Sequence, residues 1–144
     1  MNTKPESLRD CLKSRGMRDT KQRQAILKVL VDEERPLTAA VIFSRLEEKF
    51  SGLRLSTIYR NLNTFVEKNI VRKMELDFNN KESYFEYIKG EHHHHLICVE
   101  CNEIVPLDCP LKEYETELKS ETNYTLLDHK IKIYGICPEC QRKE

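Results

Sequence analysis

Apolar residues recur at helical spacing through the first sixty or so positions of the chain and alternate more often after that. Leu8, Cys11 and Leu12 share one side of a helix predicted from Pro5 to Arg15, stopped by Gly16. Thr20 caps a second helix with Ala25, Ile26, Val29 and Leu30 on its apolar face, fading near Asp32-Glu33-Glu34 before a break at Pro36. Thr38 caps a third, running to Phe50 on a stripe of Val41, Ile42, Leu46 and Phe50, with Ser51-Gly52 ending it. A fourth starts after Ser56 and turns Ile58, Leu62, Phe65 and Val66 inward. Its remaining positions (Thr57, Tyr59, Arg60, Asn61, Asn63 and Thr64) make a polar surface rich in hydrogen-bonding groups. Two strands follow, Ile70 to Leu76 and Glu82 to Ile88, joined by a turn over Asp77 to Lys81 in which Asn79 and Asn80 suit left-handed backbone. Helices followed by a hairpin predict a winged helix-turn-helix, the fold that seats one helix in the DNA major groove and lays its wing along the backbone.

The hairpin gives way near Lys89-Gly90 to a second pattern. A strand over His92 to Val99 leads to a knuckle at Cys98 and Cys101, then a short strand over Glu103 to Leu107. Leu111, Tyr114, Glu115 and Leu118 predict a helix from Pro110 to Thr122. Alternation through Leu127, His129, Ile131, Ile133 and Gly135 predicts one long strand from Thr125 to Ile136. The fold class is therefore α+β: a winged-helix domain over residues 1–88 and a smaller α+β domain over 89–144, with a hinge at about 86–91.

Charge sharpens this division. The chain is formally neutral, but residues 1–88 carry 17 Lys+Arg against 13 Asp+Glu, and residues 89–144 carry 7 against 11. Balances of +4 and −4 suit a polyanion for the first domain, and cations or protein contacts for the second. Arg18, Lys21, Arg23, Arg54, Arg60, Arg72 and Lys73 lie where a winged helix meets DNA; the competing reading is a protein-interaction module with a solvated polar face. No apolar run reaches membrane-span length and the N-terminus lacks a signal-peptide pattern, so a cytoplasmic protein without a membrane partner is expected.

The chemistry concentrates in the last third. Cys98-x-x-Cys101 and Cys137-x-x-Cys140 supply four thiolates, the donor set tetrahedral zinc prefers in a closed structural site, and Pro138 suits a rigid knuckle. Two disulfides or free thiols are the alternative, disfavoured in a reducing compartment. His92 to His95 form an unbroken run. On a strand, His92 and His94 share one face and His93 and His95 the other, so the run can serve two metal sites or stand as a solvated polar stretch. His129 precedes the second cysteine pair. A zinc hydrolase needs an open coordination position and a placed general base, and no base partners these ligands, so an enzyme is not expected. A zinc adaptor or metal buffer that never meets DNA is a further alternative.

Taken together these residues resemble the ferric uptake regulator family of metal-responsive repressors. The resemblance runs through Arg18-Asp19-Thr20-Lys21-Gln22-Arg23, the helix Ser56-Thr57-Ile58-Tyr59-Arg60-Asn61-Leu62, Tyr84-Phe85-Glu86, the histidine run into Cys98 and Cys101, and His129 into Ile133-Tyr134-Gly135-Ile136-Cys137-Pro138 and Cys140. It implies a DNA-binding winged helix, a C-terminal dimerisation domain, and a homodimer on palindromic operator DNA. It implies structural zinc at Cys98, Cys101, Cys137 and Cys140, and DNA contacts by Arg18, Ser56, Thr57, Tyr59 and Arg60. His92, His94, Glu113 and His129 match the family's site within the dimerisation domain. Glu86, His93 and His95 match part of its hinge sensing site, whose remaining positions align with Pro36 and Pro106, leaving Asp77 or Asp108 to complete it. Cys109-Pro110-Leu111 is similar to a Cys-Pro step in some zinc-type members, while the cysteine that zinc-type members often place near the hinge is missing at Tyr87-Ile88. The resemblance therefore implies a regulatory divalent metal, with zinc and the zinc uptake regulator type preferred over iron, manganese or peroxide sensing.

Overall fold

Ser7, Thr20 and Thr38 each begin a helix through one interaction: the side-chain hydroxyl accepts a hydrogen bond from a backbone N–H three residues on, which the helix itself leaves unmatched. The computed structural model describes residues 7–33, 35–76, 79–88 and 93–143, with the backbone alone for 79–81. The chain divides into two compact units, Met1–Ile88 and Lys89–Glu144.

In the first unit, α1 (Leu8–Ser14) ends where Gly16 takes a φ of 75°, and α2 (Lys21–Asp32) follows from its Thr20 cap. The expected start of α1 at Pro5 lies outside the described residues. Strand β1 (Leu37–Thr38) leads directly into α3 (Ala39–Leu46), and α4 (Leu55–Glu67) comes next. Helix α3 stops at Leu46 rather than Phe50. Glu47, Glu48 and Lys49 are all exposed, so another helical turn would bury nothing. Phe50 still packs on the core from the turn, whereas Val41 of the expected stripe is exposed and Ala39 takes the inward position. Helix α4 begins one residue before Ser56, and Ile58, Leu62 and Phe65, at i, i+4 and i+7, are fully buried.

Strands β2 (Val71–Leu76) and β3 (Asn79–Tyr87) form the hairpin, and β1 adds to the outer side of β3 through Leu37↔Phe85 and Thr38↔Tyr84. A two-residue strand has no periodicity to read, so β1 was invisible in the sequence. Of the expected turn, Asp77 and Phe78 lie outside the described residues, while Asn79 and Asn80 belong to β3. The asparagines with left-handed backbone are Asn69, Asn102 and Asn123. Helices, the β1-β3-β2 sheet and their order are those of a winged helix-turn-helix. Phe85 and Val71 carry the sheet's inner face onto Leu12, Ile26, Leu27, Ile42 and the α4 stripe.

The second unit holds β4 (His94–Cys98), β5 (Ile104–Leu107), α5 (Lys112–Thr122), β6 (Lys132–Gly135) and α6 (Pro138–Arg142). Its sheet has the order β5-β4-β6, antiparallel on one side of β4 and parallel on the other. The long strand expected from Thr125 is a correction: only Lys132–Gly135 pairs, and residues 123–131 are irregular. Strand β4 is five residues long and its His95 already faces Lys132, so residues before Lys132 find almost no partner strand. Leu127, a strand position in that expectation, is 93% exposed. Helix α5 buries no residue fully: Leu111, Glu115 and Leu118 of its expected face are half-buried and Tyr114 is exposed, and Asn123 at a φ of 59° ends it. No described helix is long and apolar enough to cross a membrane.

Phe65→Ala opens a cavity in the fully buried α4 contact. It is expected to cost about 3–5 kcal/mol, read as an earlier urea transition of the first unit with its slope unchanged.

Candidate metal and nucleic-acid sites

Two short knuckles bring the cysteines together. Cys98 ends β4, and the chain turns back so that Asn102 N–H bonds Cys98 O at 2.9 Å and Cys98 N–H bonds Glu103 O at 2.9 Å. The left-handed backbone at Asn102 makes that reversal possible. Val99 N–H bonds Gly135 O at 2.9 Å, which joins this knuckle to the end of β6. There Cys137 caps α6, Pro138 occupies its first turn, and Cys140 lies one turn along. Helix α6 is not legible in the sequence, because five residues are too few for an apolar stripe.

All six cysteines carry thiols, and the ligand atoms of Cys98, Cys101, Cys137 and Cys140 lie within 4.8 Å of one another. Cys98 Sγ is 3.9 Å from Cys140 Sγ, and Cys101 Sγ is 3.8 Å from Cys137 Sγ. Zinc–sulfur bonds of about 2.3 Å at the tetrahedral angle put sulfurs about 3.8 Å apart, so these two pairs already stand at the spacing zinc requires and the set as a whole fits the ion. The backbone prepares the site as well. The N–H of Cys137, 3.4 Å from Cys98 Sγ, leads a set of backbone donors that pulls the Cys98 thiol down to about 6. Cys140 is pushed up to about 12 by its Cys137 hydrogen bond first, then by burial and the other sulfurs. One thiolate is thus ready near neutral pH, and the crowded sulfurs together favour a cation that displaces their protons.

A second donor group forms around His129. Its Nε2 is 2.9 Å from His94 Nε2 and 3.3 Å from Cys109 Sγ, while its Nδ1 contacts Glu115 Oε1. His94 is buried on β4; Cys109 and Glu115, in the β5–α5 loop and on α5, are half-buried. The irregular path of residues 123–131 delivers His129 to this cluster. Glu113, expected here, is exposed. Two positions along an α-helix turn the side chain by about 200°, so when Glu115 meets His129 its neighbour Glu113 points away. His92, the other residue expected here, lies outside the described residues. The sequence carried a faint sign of Cys109 in its Cys-Pro step; nothing in it distinguished Glu115 from Glu113 as the partner of His129.

Of the expected hinge residues, Glu86 belongs to β3 in the first unit, and His93 and His95 to the second, where their rings meet edge-on with centroids 5.1 Å apart. Asp77 lies outside the described residues. On α4, Ser56, Tyr59 and Arg60 are exposed opposite the buried stripe, and Thr57 is half-buried. Asn61 fixes this helix to the start of α2: its Oδ1 accepts from Arg23 Nε at 3.1 Å, and Arg23 also donates to Arg18 O at 3.2 Å. Arg18 itself is exposed.

Cys98→Ser removes the best-prepared thiolate. Bound zinc is expected to fall from one structural ion per chain towards none, and the second unit to lose its fold, since structural zinc contributes about 10–16 kcal/mol in small zinc domains. Elemental analysis with circular dichroism checks both; a folded, zinc-free second unit would refute the structural role.

The ferric uptake regulator family model matches residues 14–134. The peroxide operon regulator of Bacillus subtilis (strain 168) is 38% identical over 136 residues, covering 94% of this chain and 92% of that protein. Among solved structures, the Helicobacter pylori ferric uptake regulator, described as having three functional metal binding sites, matches with a TM-score of 0.79 at 27% identity, covering 93% of this chain and 89% of that one. A zinc-bound manganese uptake regulator matches with a TM-score of 0.75 at 26% identity, covering 91% and 98%. Motifs, fold and clustered metal donors agree with these likenesses along nearly the whole chain: it belongs to the ferric uptake regulator family and is a metal-responsive regulator.

Proposed function

We propose that this chain is a homodimeric transcriptional repressor that binds operator DNA when a divalent metal is bound, and that the metal is zinc in preference to iron(II) or manganese. The observation that carries the reading is the pairing of a zinc-ready four-sulfur cluster with an exposed, hydrogen-bonding α4 face in a family of regulators. Helix α4 enters the major groove, Tyr59 and Arg60 meet bases, Ser56 and Thr57 meet phosphates, and Arg18 adds a cation beside them. Structural zinc at Cys98, Cys101, Cys137 and Cys140 holds the dimerisation unit. The assignment of Glu86, His93 and His95 to the sensed metal rests on the sequence resemblance. The preference for zinc rests on imidazole and thiol donors in the second unit.

The second copy is expected on the sheet of the second unit. Leu96 of β4 pairs with Val105 of β5 and Ile133 of β6, so the three side chains form one row across the sheet, each more than a third exposed. Joining two copies sets two α4 helices to meet half-sites about 34–36 Å apart. Metal represses only through a higher affinity for the DNA-competent state; a nearly complete switch needs a ratio of about 10⁴. The function is regulatory and not enzymatic.

Peroxide-responsive repression is the second reading, favoured by 38% identity to the peroxide operon regulator of Bacillus subtilis. Gel shifts on the chain's own promoter, in buffered free zinc, iron(II) or manganese and with or without peroxide, separate the two. Zinc-dependent binding that peroxide leaves intact supports the first; iron- or manganese-dependent binding abolished by peroxide supports the second; metal-independent binding overturns both. Arg60→Ala is expected to lose about 1–3 kcal/mol of specific affinity and relax sequence preference. Ile133→Glu is expected to yield a monomer by sedimentation, and a dimer that persists removes this face from the assembly.

A further inference from the structure

The His129 cluster differs from the set named on resemblance in having a sulfur donor. We propose that Cys109 is a metal ligand of this chain, forming with His94 and His129 a three-donor site in which Glu115 positions His129 and Glu113 takes no part. The inference rests on the reading of this chain as a metal-responsive regulator and names the donors of one of its sites.

The geometry assigns each role. The Glu115 carboxylate accepts from His129 Nδ1–H, which leaves the Nε2 lone pair facing His94 Nε2 and Cys109 Sγ. A carboxylate behind a histidine fixes the ring and its tautomer and raises the basicity of the nitrogen that faces the metal. The three donor atoms of His94, Cys109 and His129 all lie within 4.8 Å of one another. Tetrahedral zinc with bonds of about 2.05 Å to nitrogen and 2.3 Å to sulfur puts N···N at about 3.3 Å and S···N at about 3.6 Å. The separations of 2.9 and 3.3 Å open to those values by small side-chain rotations. Sulfur decides selectivity: thiolate with imidazole suits zinc and cobalt(II), whereas a carboxylate in its place suits manganese and iron(II). Three protein ligands leave the fourth position open to solvent or to another donor.

Full-length protein with its four-cysteine site filled by zinc, titrated with one equivalent of cobalt(II) without oxygen, tests this. Visible bands of tetrahedral cobalt(II) are expected together with a near-ultraviolet sulfur-to-cobalt charge-transfer band. Cys109→Ser is expected to abolish the charge-transfer band while keeping the structural zinc and the fold. Glu115→Gln is expected to keep the band but weaken cobalt binding by about 10–100-fold, the usual loss for an outer partner. Cys109→Asp returns an oxygen donor and is expected to lower the zinc-over-manganese preference by about tenfold or more. Cobalt bound without a charge-transfer band, or a band that survives Cys109→Ser, overturns the inference and leaves metal-responsive regulation standing. No cobalt binding overturns it too, and the promoter gel shifts then decide separately whether the protein answers to metal.

Discussion

Few apolar side chains are buried within the second unit, and the four-sulfur cluster offers it a second source of cohesion. Its buried apolar residues among those described are Ile97, Cys98 and Ile104, alongside the polar His94 and His95. Its helix α5 buries no residue fully. Three buried apolar side chains are few for a unit of this size, and small units of this kind draw on a staple such as a structural metal. A tetrahedral ion held by these sulfurs, at the junction of β4, β6 and α6, would clamp the ends of chain segments that the sheet joins through only a few pairs. The parallel pairing of β4 with β6 would gain most from such a clamp, because parallel strands have no hairpin to set their register.

The first unit solves the same problem by ordinary packing, and this frees its surface for recognition. Leu12, Ile26, Leu27, Ile42, Ile58, Leu62 and Phe65 are fully excluded from water, with Phe85 closing the core from the sheet. Once one stripe of α4 supplies its stability, the opposite face can carry Tyr59 and Arg60 without any packing duty. Arg23 shows how the rigid part reaches the exposed part: one guanidinium binds Asn61 on α4 and the Arg18 carbonyl before α2. A helix anchored this way presents its exposed side chains from a fixed platform, which keeps the entropic cost of binding low.

Legibility in the sequence followed the same physical division. The first unit was readable because each long element repeats its period several times: Ile58, Leu62 and Phe65 announce α4, and the Thr20 and Thr38 caps announce the helices after them. Elements too short to repeat, β1 and α6, were not readable. The expected strand from Thr125 failed because alternation marks where side chains point only if a partner strand exists, and β4 is too short to provide one. The four cysteines were legible because spacing alone encodes a knuckle. Cys109 was marked only by its Cys-Pro step, and the contact of Glu115 with His129 was not legible, because it depends on how α5 is rotated relative to a loop and no local pattern encodes that rotation.

The two donor groups of the second unit differ in a way that divides labour. Four thiolates at tetrahedral spacing saturate a zinc ion, so exchange requires breaking a bond before any new one can form. Such a site suits permanence. The His94, Cys109 and His129 group has three donors and draws them from β4, a loop and an irregular segment. Filling it joins pieces that little else holds, while emptying it leaves the sheet's hydrogen bonds intact. An ion there tightens the loop before α5 and the segment before β6 together, so its binding energy is spent on ordering chain that the clamp does not reach. Local order that depends on metal in this way is the physical condition for a site whose occupancy can be read.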